Sequence, residues 1–186
     1  MVIDTARPLP GGPLAIDLLN TTWASSDGSV DWLQNDAAVK QFAGEHGHSV
    51  DSSDIDDVRS SLIESRELTR RLFRSASSDE SLLADLNAAL ASAQTVVVSA
   101  DAGPTLRVTG GRSHNGLAIE ALVNAMELHR DQQHRVRPCD HHSCVLWFLD
   151  TSKAGRRRWC SMERCGNRNK AQRHYERQTK TSDAAP

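Results

Sequence analysis

Four cysteines constrain this chain more than any other feature. Cys139, Cys144, Cys160 and Cys165 stand in the order C-x4-C-x15-C-x4-C, two matched pairs separated by enough chain for a hairpin and its return. Four thiolates arranged this way close a tetrahedral shell. Soft sulfur ligands favour zinc, and a shell with no open position is structural rather than catalytic. None of the first 138 residues is a cysteine, and in a reducing compartment such clustering favours a metal over disulfides. One structural Zn2+ is therefore expected. His141 and His142, inside the first pair, are competing donors. A redox pair is the other alternative, although thiol redox pairs more often use C-x2-C.

The residues around the cysteines read as a small fold. Val145–Asp150 reads as a strand, Ser152–Gly155 as a turn, Arg156–Trp159 as the returning strand and Asn167–Gln178 as a helix. A knuckle, a hairpin and a helix in that order make a treble clef. A module of this size has little core and draws much of its folding free energy from the metal. Trp147, Phe148 and Trp159 are its expected mini-core.

Charge divides the chain in the same place. Residues 1–129 carry 9 Lys+Arg against 18 Asp+Glu, whereas residues 130–180 carry 13 against 5, so a basic module follows an acidic body. That asymmetry suggests a polyanionic partner for the module, with a solvated surface as the bland alternative. The length of 186 residues suits one domain plus a small module. We divide it into a body at 1–130, a finger at 131–180 and a disordered tail at 181–186. The chain has no apolar run approaching ~18 residues, and its first residues lack the features of a secretory signal. A cytoplasmic location is expected.

In the body, Leu14–Trp23 reads as an opening strand and Asp36–Ala43 as a short helix capped by Asp36. Ile55, Val58, Leu62, Leu68, Leu72 and Phe73 recur at helical spacing behind Ser52–Asp54, which predicts a helix of about 20 residues. Asp54, Asp56 and Asp57 then belong to its charged start. Ser77 and Glu80 have capping-box spacing ahead of Leu82, Leu83, Leu86 and Leu90, a second helix. Thr95–Ser99 and Leu106–Thr109 flank Asp101–Pro104 as a hairpin, and Leu117–Leu128 carries a helix to about His129. Strands and helices that do not alternate regularly predict an α+β fold. Asp17 and Asn20 either line a small pocket or form a polar strand face, and His46, His48 and His114 read as surface residues.

The run Trp159–Lys170, which contains Cys165-Gly166-Asn167-Arg168, resembles the signature of the bacterial CGNR zinc-finger family, named for that tetrapeptide. Phe148–Ser152 and Arg158-Trp159 are similar to that family as well. Its fingers commonly follow an ABATE domain, whose opening strand Leu14–Thr21 resembles. The resemblance covers nearly the whole chain, more loosely in its N-terminal part. It implies an α+β N-terminal domain, a treble-clef finger and a stress-responsive transcription regulator.

Nucleic-acid binding needs cations along one surface, because phosphate neutralisation supplies much of the affinity. Arg156, Arg157 and Arg158 run along the expected hairpin, where alternation places Arg157 opposite its neighbours. Lys170, Arg173 and Arg177 form one helical stripe. Arg164, Asn167 and Arg168 lie beside the shell, where metal binding would fix them for base or phosphate contact. Double-stranded DNA is the favoured partner. RNA binding by the same surface, and a protein-interaction or ligand-sensing module in which zinc is purely structural, are the alternatives. The body is left to sense an unidentified small-molecule effector, to dimerise or to contact another protein. No Gly-rich phosphate loop, nucleophile elbow or open metal site is present, so an enzyme is not expected.

Overall fold

A computed structural model describes residues 7–26, 28–75, 79–100, 103–109, 114–172 and 175. Helix α1 spans Leu14–Leu19, strands β1 and β2 Thr22–Ser25 and Gly28–Asp31, and helices α2, α3 and α4 Asp36–Glu45, Ile55–Arg74 and Glu80–Ala89. Strands β3 and β4 cover Gln94–Ala100 and Gly103–Thr109, helix α5 Gly116–Gln132, and strands β5 and β6 Val136–Pro138 and Trp147–Leu149. The strands pair antiparallel in sequence order as three two-stranded ladders. This is the expected mixed α+β architecture, with the cysteine cluster at its C-terminal end. Among the described residues no helix is long and apolar enough to cross a membrane.

The opening segment corrects the sequence reading, for Leu14–Leu19 is a helix and only Thr22–Ser25 is a strand. Five of the six α1 residues are buried. A helix surrounded on every side shows no amphipathic stripe, so its pattern resembles a buried strand. Tertiary contacts hold it, since Pro13 at its N-terminus provides no side-chain cap and Asn124 of α5 accepts from Ala15 N at 3.1 Å. Leu18 packs with Leu33, Phe42 and Leu62, while Ile16 and Leu19 join a second cluster with Leu68, Leu72 and Leu122. α1 is thus the post between the two halves of the core.

The amphipathic α3 has the expected extent, with Asp56 and Asp57 in its first turn and Arg71 and Arg74 in its last. Those charges complement the helix dipole. Two caps differ from the sequence reading. Asn35, not Asp36, accepts from the α2 amides of Ala37 and Ala38, and Asp79 accepts from Leu82 N at the start of α4. Ser77, the expected cap of α4, lies outside the described residues. The β3–β4 hairpin is present in the expected register region. α5 continues to Gln132, beyond the boundary drawn at residue 130. A short turn at Gln133–Arg135 then leads directly into β5.

Candidate metal centre and the surface around it

The knuckle of the first cysteine pair sits at the tip of a hairpin. β5 enters it and β6 leaves it, with Pro138 opposite Trp147 and Val136 opposite Leu149. Cys139 N donates to Leu146 O and Cys144 N to His141 O, both at 2.8 Å, which closes the loop. The second pair flanks a turn of π-helix at Met162–Gly166, where Cys165 N and Gly166 N both donate to Ser161 O at 3.0 Å. A helix follows directly over residues 167–172.

The expected returning strand at Arg156–Trp159 does not form, and β6 pairs with β5 instead. Side chains take up the polar groups a ladder would have used. Asp150 accepts from Ser152 N and Oγ on one oxygen and from Arg157 N on the other, at 3.0, 2.6 and 2.8 Å. These bonds, led by the Ser152 hydroxyl, hold its carboxyl down at about 2. Gly155, with φ of 59°, turns the chain where a Cβ would be strained. A single backbone bond from Asp140 N to Arg158 O at 2.9 Å joins this segment to the knuckle.

Three sulfurs are buried and Cys144 is partly exposed. All four Sγ atoms lie within 4.8 Å of one another, with Cys144–Cys160 at 3.8 Å and Cys160–Cys165 at 3.6 Å. A tetrahedron with Zn–S bonds of about 2.3 Å has edges of about 3.8 Å, so the donor set and its size fit one zinc ion. Cys160 N donates to Cys139 Sγ at 3.4 Å, an outer contact that orients the ligand. The crowded thiols differ in acidity. The hydrogen bond from Cys160 brings Cys144 down to about 5, the same contact and burial push Cys160 up, and burial raises Cys165 to about 12. Metal must displace the remaining protons, which makes its affinity pH-dependent.

His141 is buried but turned away from this role. Its Nδ1 faces Ser143 N and Oγ at 3.3 and 3.1 Å, and its ring stacks on His142 with centroids 4.6 Å apart. Burial, then the charges of His142 and Arg168, lower its pKa.

Trp147 departs from the expected mini-core. Alternation along β6 sends it and Phe148 to opposite faces. Phe148 packs on Cys139, Leu146, Cys160 and Cys165 with Trp159 alongside, whereas Trp147 joins the body cluster of Leu19, Leu72 and Leu122. Its ring lies 5.9 Å from that of Phe73. Asn20, the other end of this junction, grips the Trp147 backbone through two buried hydrogen bonds. Sequence reasoning left Asn20 on a strand face, and nothing local could have paired it with a residue 127 positions away.

The named cations divide by what their side chains do. Arg157 donates from Nε to Trp159 O at 2.9 Å and from Nη2 to Cys160 O, and it lies 4.7 Å over the Phe148 ring. Its guanidinium therefore supports the finger from inside. Arg158 is exposed, paired with Asp140 and lying 5.3 Å over Trp159. Arg156, Arg164, Asn167, Arg168 and Lys170 are exposed. Arg173 and Arg177, the rest of the expected helical stripe, lie outside the described residues, as does the tail at 181–186. Sequence reasoning missed Arg135 and Arg137. Arg135 Nη1 donates to Asp150 O and Ser152 O at 2.9 and 3.0 Å, and Arg137 Nη2 to Gly155 O at 2.9 Å, so both clamp the turn. Their position opposite β6 was the only signal.

Gly166 has a packing reason for its place. A Cβ there would stand 2.7 Å from Met162 Sδ and 3.4 Å from the Trp159 ring.

Comparison with protein families decides the affiliation. Residues 12–139 match the ABATE family model, described as "Putative stress-induced transcription regulator". The chain belongs to the ABATE family. Residues 135–178 match the CGNR zinc finger, so this ABATE chain carries the two modules in the expected order. The two matches overlap at 135–139, the stretch where β5 leaves the body core and enters the knuckle. Among curated proteins, none matches the chain.

Proposed function

We propose that this ABATE-family chain is a DNA-binding transcription regulator of the stress-responsive type, in which the zinc finger presents a basic surface to the duplex. The observation that carries the reading is how the finger docks. Asn20, Trp147 and Val136 join it to the body through neutral hydrogen bonds and apolar packing. Among the described residues no ion pair joins finger to body. The acidic body therefore does not consume the finger's charge. Arg156, Arg164, Arg168 and Lys170 are exposed and in no ion pair among the described residues.

Asn167 and Arg168 begin the terminal helix two and three residues after Cys165, so the metal fixes where they point. Arg suits guanine edges and phosphates, and Asn suits adenine. Arg157 acts as a positioning residue beneath them.

Fluorescence anisotropy with a labelled duplex tests the reading. Arg164, Arg168 and Lys170 changed together to Ala should weaken binding and reduce the salt slope by up to about 0.9 for each phosphate no longer neutralised. Unaltered binding at moderate salt would contradict it. Structured RNA that outcompetes duplex DNA would transfer the surface to RNA instead.

A further inference from the structure

The body holds a second built site, remote from the cysteines. Arg7, in the irregular arm ahead of α1, lies with its guanidinium carbon 4.8 Å from the Trp32 ring centre and 5.2 Å from that of Phe42. Its Nη1 donates to Asp17 Oδ1 at 2.5 Å and its Nη2 to Glu45 Oε2. The other Asp17 oxygen faces His46 Nε2 at 3.0 Å, and the other Glu45 oxygen accepts from Gln41 Nε2 at 2.9 Å. The Arg7 and Asp17 side chains are only 3% and 2% exposed.

Every wall of this cage comes from the body. Asp17 lies on α1, Trp32 on the turn before α2, and Phe42 and Glu45 on α2. Two aromatic faces and two carboxylates placed at different Nη groups are the complement of a planar, delocalised, forked cation. An ammonium offers neither the plane nor the fork. Without a cation, Asp17 would be a buried carboxylate with His46 as its remaining partner, so the walls require an occupant.

The occupant is tethered from outside these walls. The ABATE match begins at residue 12 and contains the four wall residues but not Arg7. Two residues after Arg7, Leu9 adopts φ of 58°, a conformation that disfavours any side chain, and packs against the finger's apolar cluster. The arm is thus a strained strap with one end in the cage and the other on the finger.

We propose that this cage is a guanidinium-binding site of the body, filled from within by Arg7, for which a guanidino ligand competes. Displacement of Arg7 frees the arm and withdraws Leu9 from the finger. The inference does not depend on DNA binding.

The test uses the full zinc-loaded chain and agmatine as probe, with a diamine of matching length as control. Calorimetric titration of Arg7→Ala should show saturable agmatine binding, no diamine binding, and loss of the signal when Asp17→Asn is added. Wild type should bind about tenfold more weakly or worse, because its competent state is only fractionally open. In wild type at saturating agmatine, hydrogen exchange at the Leu9, Gly11 and Gly12 amides should accelerate.

A short arginine peptide distinguishes the sources. Binding equal to agmatine assigns the site to a partner's arginine, and weaker binding assigns it to a free guanidino compound. Absence of agmatine binding to Arg7→Ala, binding indifferent to Asp17→Asn, or unaltered arm exchange in wild type would each overturn the proposal and leave Arg7 as a structural clamp. Should Arg7→Ala fail to fold by circular dichroism, Arg7→Lys takes its place with the same outcomes, since its ammonium leaves the fork unfilled.

Discussion

Asn20 and Trp147 exchange two hydrogen bonds across the junction between body and finger. Asn20 Nδ2 donates to Trp147 O at 3.0 Å, and Trp147 N donates to Asn20 Oδ1 at 2.9 Å, both buried. One edge of β6 pairs with β5, and the Asn20 amide serves the other edge as a one-residue substitute for a strand. The metal module and the body are thereby joined at the backbone.

Replacing Asn20 with Ala leaves a buried N–H and a buried C=O without partners. The cost should be about 2–4 kcal/mol, from about 1–3 kcal/mol for each orphaned group. Urea unfolding followed by far-UV circular dichroism measures it. A loss below about 0.5 kcal/mol, the usual effect of a surface substitution, would show that the junction is not made in solution.

Trp147 and Phe148 are neighbours whose loss should be felt in different places. Trp147→Ala removes a ring from the body core and should cost about 3–5 kcal/mol of global stability. Phe148→Ala removes the apolar floor beneath Cys139, Cys160 and Cys165, so zinc affinity should fall more than body stability. A competition titration with a chromogenic chelator, run beside the urea curves, separates the two.

Arg156 and Arg157 should likewise divide. Arg157→Ala removes the bonds to the Trp159 and Cys160 carbonyls and the packing over Phe148, and should lower the melting temperature of the zinc-loaded finger. Arg156→Ala should leave that temperature unchanged and reduce the salt slope of DNA binding by about 0.9, the equivalent of one phosphate. The reverse pattern would exchange their roles.

Acid should weaken the body through Asp31. Burial raises its pKa, but the bidentate hydrogen bonds and charge of Arg66, at 2.6 and 2.8 Å, outweigh that effect and hold it below the ordinary 3.8. A carboxylate with a lowered folded pKa contributes stability that is present above its unfolded value and is lost as pH falls below it. Urea unfolding between pH 7 and pH 3 should therefore show a decline below about pH 4. Asp31→Asn should be less stable at pH 7 and flatter across that window, and parallel curves would contradict the assignment.

Much of this was legible in the sequence where one segment carries its own pattern. The α3 stripe from Ile55 to Leu72 and the cysteine spacing are local, and both led to the observed element or cluster. What was not legible depends on distant partners. α1 reads as a strand because its residues are buried all round, and Trp147 reads as finger core because only the body shows where its ring goes. Arg156–Trp159 reads as a strand until Asp150 takes the Arg157 amide. His46 reads as a surface histidine until Asp17 is placed 3.0 Å from it by a different helix.

The central claim is that a four-cysteine zinc site holds the exposed cations in the arrangement that binds DNA. Anisotropy titrations of one labelled duplex, with zinc-loaded chain and with chain whose zinc loss has been verified by metal analysis, test it most directly. The account predicts salt-dependent binding by the loaded chain that disappears on zinc removal and returns when one equivalent of zinc is restored. Undiminished binding by the verified zinc-free chain would contradict it.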